Sequence, residues 1–281
     1  MSQSLGTLYV VATPIGNLGD MVPRAVQVLQ SVALIACEDT RHSARLLEHF
    51  AIAGRCIAYH DHSDDKRTEQ ILTQLRAGEE VALISDAGTP LVSDPGYRLV
   101  RAARQAGVRV VPIPGACAFV AALSAAGLPS NRFTFEGFLP AKAGARLAAL
   151  EALADEPRTL IFYEAPHRVL ACVQDMARAF GPDRELVIAR EISKTFETIY
   201  TASASDMADW IAADSNQQRG EIVLLVHGAP ERKAGMSAET ERVMSVLLDE
   251  LPVKQAAALG AKLTGAKKNE LYQWALAQRA D

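Results

Sequence analysis

An α/β fold with two domains and a small helical module is predicted for this 281-residue chain. Short β-branched runs alternate with amphipathic stretches from the N-terminus to about residue 113, and these runs lack the polar alternation of half-exposed strands. Such a pattern is typical of parallel strands that helices cover on both faces. Because 49% of the residues are hydrophobic, the chain also carries enough apolar surface to bury a sizeable core.

The first domain, residues 1–120, is predicted to contain a mostly parallel sheet. Its strands are expected at residues 8–12, 33–36, 56–59, 81–84 and 108–111, with helices at 24–30, 41–50, 66–76 and 97–106. The carboxyl ends of parallel strands meet at one edge of the sheet, where open α/β sheets bind ligands. A ligand site is therefore expected in the loops that follow these strands.

The second domain, residues 121–230, follows a different pattern. A small-residue helix at 115–126 leads into strands at 133–138, 159–163, 185–191 and 222–227, with helices at 142–153 and 167–180. This spacing favours an α+β domain with hairpin pairing, with its boundary within 112–129. Charged groups adjoin strand ends at 163–168, 190–195 and 219–222. Such groups are typical of solvated rims, but three of them favour a ligand cleft between the domains.

Residues 236–281 are predicted to form a helical module after a linker at 228–235. Ser237 is a candidate helix N-cap, and helices are expected up to Glu250, over 253–263 and over 268–278, in a helix-turn-helix-like arrangement. The whole chain has a formal net charge of −4, but residues 251–281 carry five basic and two acidic side chains. Any contact with RNA is therefore expected to be local.

Composition and residue patterns exclude several classes of protein. The apolar content excludes a disordered linker. No apolar run is long enough to span a membrane and the first residues carry no basic leader, so we expect a soluble, cytoplasmic protein. The four cysteines contain no C-x-x-C pair, which favours free thiols. Turn and capping roles are favoured over a metal site for His60, His62 and Asp64, so no metal is predicted.

Two loops of the first domain are candidates for ligand binding through their backbone turns. The loop at 13–20 lacks the G-x-G-x-x-G fingerprint of a dinucleotide fold, and an ordinary Pro-Gly turn is the alternative interpretation. The loop at 85–96 combines small residues, two prolines and the carboxylates of Asp86 and Asp94, which can accept hydrogen bonds. Asp94, which precedes Pro95, is equally typical of a helix N-cap.

The loop at 112–119 is the third candidate, because Gly115 and small neighbours leave backbone amides free at a helix start. The scarcity of charge there favours an adenosyl group with a carboxylate tail over a phosphate, and tight helix–sheet packing is the alternative. A polar set follows the second strand. Its members can bind a ribose, steer a phosphate or remove a proton, and they are Glu38, Asp39, Arg41 and His42.

Eight ordered stretches carry a resemblance to one family: TPIGNL at 13–18, EDTRH at 38–42, SDAGTPLVSDPG at 85–96, PGACA at 114–118, AAGLPS at 125–130, EGFLPAK at 136–142, FYEAPHR at 162–168 and RE-x-x-K at 190–194. The chain resembles, from Leu8 to about Gly228, the ribosomal RNA small subunit methyltransferase I family, the cytidine 2'-O-ribose enzymes of the tetrapyrrole methylase superfamily. Its helical tail is similar to the C-terminal helix-turn-helix module of that family.

The resemblance implies two α/β domains of the tetrapyrrole-methylase type with S-adenosylmethionine bound between them. It also implies a homodimer, and methylation of a cytidine in the decoding region of 16S rRNA within the small ribosomal subunit. The cofactor site carried over from the family comprises Pro14, Asp86, Gly88, Thr89, Pro90, Leu91, Val92, Gly115, Cys117, Ala118, Phe162, Tyr163, Glu164, Gly220, Glu221 and Ile222. Gly88-Thr89-Pro90 matches the Gly-Asp-Pro loop of the tetrapyrrole methylase superfamily, and Thr89 departs from the acid that many members of that superfamily have at its position. Pro90, Leu91, Val92 and Ala118 would form an apolar wall near the sulfonium.

The acceptor side of the site is assigned as a hypothesis. Glu38, Asp39, Arg41 or His42 is expected to face the ribose, while Lys194 and Arg168 hold flanking phosphates. In the tail, the lysines at the predicted turn are expected to contact RNA phosphates, and a solvated helix face is the alternative; they are Lys262, Lys267 and Lys268. Rival functions are a small-molecule tetrapyrrole methylase and a non-enzymatic RNA-binding ribosome assembly factor.

Overall fold

The computed structural model describes residues 4–60, 65–230 and 238–278. Residues up to Gly228 form one compact unit with two five-stranded sheets, and the residues after it form a second, helical unit. The predicted α/β class with a helical tail is confirmed. No helix in the described part of the chain combines the length and the apolar character needed to cross a bilayer.

The first sheet is entirely parallel, in the order β3-β2-β4-β1-β5. Its strands are β1 (Thr7–Val11), β2 (Leu34–Cys37), β3 (Cys56–Ala58), β4 (Val81–Ile84) and β5 (Arg109–Ile113). The helices between them are α1 (Pro23–Ser31), α2 (Thr40–His49), α3 (Asp65–Arg76) and α4 (Tyr97–Gln105). Neighbouring residues of β2 enter opposite cores, because strand side chains alternate between faces: Leu34 packs with Ile71 of α3, and Ile35 packs with Leu29 of α1.

The second sheet is mixed, in the order β6-β7-β10-β8-β9, with β6 and β7 parallel and the other neighbours antiparallel. Its strands are β6 (Phe133–Phe138), β7 (Thr159–Glu164), β8 (Glu185–Arg190), β9 (Thr198–Ser203) and β10 (Ile222–Val226). Residues of α5 (Ala118–Ala125) pack against one face of this sheet. Residues of α6 (Ala143–Glu151), α7 (Val169–Phe180) and α8 (Ala204–Ala213) pack against the opposite face.

The sequence pattern did not predict two elements of this domain, namely β9 and α8. The strand β9 lies at the sheet edge, where half-exposed side chains replace the continuous apolar run of a buried strand. No turn separates it from α8, because Ser203 ends the strand and also caps the helix through a hydrogen bond from Asp206 N to its Oγ at 3.2 Å. The strands β8 and β10 are antiparallel neighbours, but the hairpin partner of β8 is β9.

The helical unit consists of α9 (Ala238–Glu250), α10 (Val253–Thr264) and α11 (Lys268–Gln278). Its core contains Met244, Ala256, Ala257, Leu271 and Ala275. Helix α10 ends at Thr264, and its C-cap Gly265 adopts a left-handed φ of 75°. The predicted N-cap Ser237 lies outside the described residues.

Candidate active site

Hydrogen bonds join the loops that follow β1, β4 and β5. Thr13 N donates to Gly88 O at 2.8 Å and Gly88 N donates to Thr13 O at 3.1 Å, so the first loop is bridged to the second. Thr89 Oγ1 donates to Ala116 O at 2.9 Å, which links the second loop to the third. The hydroxyl of Thr89 is therefore engaged in holding two loops together.

Glycine is required at Gly115 for packing rather than for ligand contact. A Cβ at Gly115 would lie 2.8 Å from the Cβ of Ala12, and Gly115 is not among the residues that line the cavity described below. The helix predicted from 115 begins only at Ala118, because Cys117 has an extended backbone with φ −145° and ψ 117°. The alternative interpretation, close packing between this loop and the sheet, therefore describes Gly115.

A cavity of about 380 Å³ lies between the loops of the first domain and the strand ends of the second. It falls in the size range of small-molecule sites. Ten of the predicted cofactor residues line it: Gly88, Thr89, Val92, Cys117, Ala118, Tyr163, Glu164, Gly220, Glu221 and Ile222. The other lining residues were not assigned to the cofactor from the sequence, and they are Ile15, Ala87, Ser93, Asp94, Phe138, Ala165, Pro166, Ile192 and Val223.

Six predicted cofactor residues do not line this cavity. Pro14 and Pro90 are buried within their loops, and Leu91 packs against the core of the first domain. Asp86 Oδ1 accepts a hydrogen bond from Asp39 N at 3.1 Å. Phe162 is fully buried in the core beneath α7, because neighbouring Tyr163 takes the opposite face of β7. Gly115 completes this set.

The walls of the cavity are apolar and acidic. Three lining residues carry carboxylates, namely Asp94, Glu164 and Glu221, and none of the described lining residues is Lys, Arg or His. Glu164 is neutralised by Arg168, whose Nε and Nη2 lie 2.9 and 2.8 Å from Glu164 Oε1. Such a surface suits a neutral or positively charged group better than a phosphate.

Strained backbone is concentrated in the two loops that flank the cavity. Leu91 and Ser93 have φ values of 72° and 61° in the loop after β4. Glu191 and Ser193 have φ values of 53° and 69° in the loop between β8 and β9. Residues with a side chain adopt such angles only where the surrounding structure imposes them, and they cluster at ligand sites.

Two polar groups of the cavity lining, the Tyr163 phenol and the Cys117 thiol, are neutral at ordinary pH. Burial raises the pKa of Tyr163 well above that of a free phenol, and Tyr163 Oη accepts a hydrogen bond from Phe119 N at 3.3 Å. Burial also raises the pKa of the Cys117 thiol. Neither group is therefore suited to act as a base at neutral pH.

Lys194 is held by two carboxylates beside the cavity. Its Nζ lies 2.8 Å from Glu191 Oε1 and 3.2 Å from Glu221 Oε2. Burial alone lowers the pKa of Lys194, but the hydrogen bonds and charges of these carboxylates outweigh it and raise the pKa. Its aliphatic stem covers Gly16 of the first domain, where a Cβ would lie 2.5 Å from Lys194 Cγ. Nearby, Ser193 Oγ donates to Asp20 Oδ2, so the β8–β9 loop contacts both domains.

The four polar residues predicted to face the ribose lie outside the described cavity lining. Asp39 caps α2, because its Oδ1 accepts a hydrogen bond from Arg41 N at 2.8 Å. The hydrogen bonds of Arg41 lower the pKa of Asp39 to about 2, and the Arg41 side chain is 90% exposed. Glu38 and His42 flank this pair in the chain. Asp39 N also donates to Asp86, which ties this helix start to the loop after β4.

The residues predicted to bind RNA are not among those that line the cavity. The Arg168 side chain is 21% exposed and its guanidinium is engaged by Glu164. Lys262 and Lys268 lie on either side of the Gly265 turn, and Lys267 Nζ lies 3.4 Å from Glu270 Oε1. Within the described ranges no cluster of three or more His, Cys, Asp or Glu can hold a metal ion. His62 and Asp64 lie outside those ranges.

Comparison with known proteins gives family matches for most of the chain. The family described as Tetrapyrrole (Corrin/Porphyrin) Methylases matches residues 7–208, and the one described as RsmI C-terminal HTH domain matches residues 234–279. A Pseudomonas aeruginosa protein named ribosomal RNA small subunit methyltransferase I is 60% identical over 275 residues, covering 97% of this chain and 98% of its own. An Escherichia coli O157:H7 protein of the same name is 52% identical over 276 residues, covering 98% of this chain and 96% of its own.

A solved structure also shares the fold. The uroporphyrin-III C-methyl transferase from Thermus thermophilus, complexed with S-adenyl homocysteine, superposes with a TM-score of 0.54. It is 19% identical and covers 79% of this chain and 97% of its own. At this identity the likeness concerns the fold alone.

Proposed function

We propose that this chain, which belongs to the ribosomal RNA small subunit methyltransferase I family of the tetrapyrrole methylases, methylates the ribose 2'-hydroxyl of a cytidine in the decoding region of 16S rRNA. The activity of the family is that of an S-adenosylmethionine-dependent rRNA methyltransferase. The proposal adds the acceptor atom, the nucleotide and its place in the small ribosomal subunit.

The observation that carries the cofactor part of the proposal is the chemistry of the cavity wall, while the RNA acceptor is supported by the likeness to relatives named ribosomal RNA small subunit methyltransferase I. S-adenosylmethionine, when bound, supplies a methyl group on a positively charged sulfonium. Apolar residues such as Val92 and Ala118 with the carboxylate of Asp94 form a wall that accepts an apolar cation. Glu221 lies on the same wall, and its carboxylate also pairs with Lys194. Gly88, Thr89, Cys117, Tyr163, Glu164, Gly220 and Ile222 complete the residues that we assign to this cofactor.

Placement of the acceptor is expected to contribute more to the rate than proton removal. Orientation of two reactants supplies roughly 7 to 11 kcal/mol, whereas a positioned base contributes about 10²- to 10⁴-fold, or some 3 to 5 kcal/mol. The linked loops after β1, β4 and β5 are suited to this positioning, because Thr13, Gly88 and Thr89 hold them in one arrangement.

With the cofactor bound, the acceptor oxygen would take the methyl group as the carbon–sulfur bond of the sulfonium breaks, and the hydroxyl proton would pass to a base or to solvent. Lys194 is unsuited to accept this proton because its neighbouring carboxylates keep it protonated. We assign it to a phosphate of the RNA together with Arg168, and keep Glu38, Asp39, Arg41 and His42 as the candidate ribose-facing set. The lysines of the helical unit, Lys262, Lys267 and Lys268, are proposed as further phosphate contacts.

The partners and location are part of the same proposal. We propose that the chain acts as a homodimer on the small ribosomal subunit in the cytoplasm, where ribosomal RNA is found. Light scattering of the purified protein would give twice the 30.2 kDa mass of one chain. A mass of one chain would refute the dimer without affecting the assigned chemistry.

The proposal is tested by calorimetry with S-adenosylmethionine and by transfer of its labelled methyl group to small ribosomal subunits. We expect cofactor binding, and incorporation at one cytidine whose 3'-phosphodiester becomes resistant to alkali. Ala118→Phe should abolish both by filling the cavity, whereas Ala125→Phe on the exposed face of the same helix should preserve both.

Two other outcomes would replace the proposal. A porphyrinoid substrate is the second candidate, because residues 7–208 match the family described as Tetrapyrrole (Corrin/Porphyrin) Methylases. Methyl transfer to a porphyrinoid but not to ribosomal subunits would establish it. An absence of S-adenosylmethionine binding would instead favour a non-enzymatic RNA-binding assembly factor.

A further inference from the structure

Strand β6 carries a β-bulge that redirects one aromatic side chain. In its pairing with β7, Phe133 lies opposite Thr159 and Phe135 opposite Ile161, but Phe138 lies opposite Tyr163. The register shifts by one residue between Phe135 and Gly137. Without this extra residue, regular alternation would place Phe138 on the face opposite to Phe133 and Phe135. The bulge therefore brings all three aromatic rings to one face of the sheet.

The residues around the bulge hold this arrangement. Gly137 has a φ of 65°, and a Cβ there would lie 3.4 Å from Ser93 Oγ in the loop after β4. Leu139, the next residue after Phe138, is buried in the core on the other face of the sheet. Thr134 Oγ1 donates to Glu136 Oε1 at 2.6 Å. The direction of Phe138 is therefore set by its neighbours on both sides.

Phe138 lines the cavity and yet remains 55% exposed. Its ring centroid lies 5.6 Å from that of Tyr163 at an interplanar angle of 63°, so the contact is edge-on. A half-exposed phenylalanine forgoes much of the free energy that burial of the ring would release. Bulges beside active sites commonly redirect a side chain for function. The arrangement therefore indicates a ligand for the ring rather than a contribution to the core.

We propose that Phe138 stacks on the base of the acceptor nucleotide, so that the substrate is a nucleotide whose base is unpaired and unstacked. This inference rests on the proposed function and names the RNA feature that the site recognises. Aromatic side chains are the usual platforms for unstacked RNA bases, whereas a base within a duplex is inaccessible to them. The loop after Phe138 continues to the exposed Lys142, which places a positive charge in the same segment.

The test compares variants of Phe138 with a matched variant on the same strand. Phe133 is 41% exposed and on the same face, but it does not line the cavity, so Phe133→Leu is the control. For Phe138→Leu we expect kcat/KM for small ribosomal subunits to fall about 5- to 150-fold, the loss of one base–aromatic stack. Phe138→Trp should retain the wild-type value, and Phe133→Leu should remain close to it.

Three outcomes would overturn the inference. Unchanged kcat/KM in Phe138→Leu would show that the ring is not used. A parallel fall in calorimetric affinity for S-adenosylmethionine would assign the ring to the cofactor instead. A change of mass in light scattering would assign it to a second copy of the chain.

A direct readout of stacking does not depend on methyl transfer. In the F138W variant, a short single-stranded oligocytidine should quench tryptophan fluorescence more strongly than in the wild type, and absence of added quenching would contradict stacking. If wild-type protein fails to methylate ribosomal subunits while F138W is quenched, the proposed reaction fails and the inference about the base stands.

Discussion

Replacing Gly220 with alanine should disrupt the hydrogen bonds that shape one wall of the cavity. Gly220 has a φ of 80°, and a Cβ there would lie 2.4 Å from Oε1 of Glu191. That oxygen accepts hydrogen bonds from Glu221 N at 2.9 Å and from Lys194 Nζ at 2.8 Å. The added methyl group must therefore displace the carboxylate that connects the β8–β9 loop to the start of β10.

Two separate costs contribute to the effect of Gly220→Ala. A residue with a Cβ in the left-handed region costs roughly 1 to 2 kcal/mol, and overpacking of a filled site costs about 1 to 3 kcal/mol more. We therefore expect the free energy of unfolding to fall by about 2 to 5 kcal/mol. Because Gly220 and Glu221 line the cavity, the dissociation constant for S-adenosylmethionine should also rise.

Gly127→Ala is the matched control, because position 127 also has a left-handed φ but a Cβ there would meet no neighbouring atom. Gly127 has a φ of 72°, and no atom lies within 4 Å of the position that a Cβ would take there. Its variant should lose only about 1 to 2 kcal/mol and keep the wild-type affinity for the cofactor. Urea titrations give the free energies and calorimetry gives the dissociation constants. Equal losses in the two variants, or unchanged cofactor affinity in Gly220→Ala, would refute the reasoning.

Three further predictions concern charged groups. Asp175→Ala removes the carboxylate from the buried guanidinium of Arg146, whose Nη2 lies 2.8 Å from Asp175 Oδ2. Urea titration should show that the free energy of unfolding falls by about 3 to 5 kcal/mol. A fall below about 1 kcal/mol would contradict a stabilising buried pair. Arg41→Ala should reduce methylation of ribosomal subunits and leave calorimetric cofactor affinity unchanged, whereas Lys194→Ala should reduce both, because Lys194 Nζ holds Glu221 of the cavity wall at 3.2 Å; normal turnover would remove either residue from the acceptor site. Burial alone raises the pKa of Glu191, but hydrogen bonds from Lys194 and Glu221 N outweigh it and lower the pKa below its ordinary 4.5. The ionised carboxylate therefore stabilises the folded protein above pH 4.5, and this contribution is lost as the pH falls through the lowered pKa. Urea titrations at falling pH should therefore show a larger loss in wild type than in Glu191→Gln, and equal losses would show that the carboxylate has no such role.

Much of the fold could be predicted because burial leaves a local pattern in the chain. The run at Val81–Ile84 is wholly apolar and forms the buried strand β4 with the predicted bounds. The edge strand β9 shows no such run, because only one side of an edge strand is covered by a neighbour. Loops with small residues could likewise be recognised, and ten of the predicted cofactor residues line one cavity.

Roles that depend on where a side chain points in the folded chain could not be predicted in the same way. Arg168 looks like a free cation in the sequence, but its guanidinium is engaged by the buried Glu164. Asp39 lies in a charged cluster, and the structure uses its carboxylate to cap α2. Phe162 and Tyr163 are neighbours in the chain, yet only Tyr163 lines the cavity. For each of these residues, the role depends on a side-chain direction that is set only when the chain folds.

The sequence by itself determined the parallel sheet, the helical tail and the family, because apolar periodicity, turn residues and ordered motifs are local properties of the chain. Only the tertiary structure decided which side chains face the cavity, how Glu191 holds Lys194 and Glu221, and why Phe138 shares a face with Tyr163. Those features depend on strand register and on contacts between residues far apart in the chain, and a shift of one residue in register reverses the face that a side chain takes.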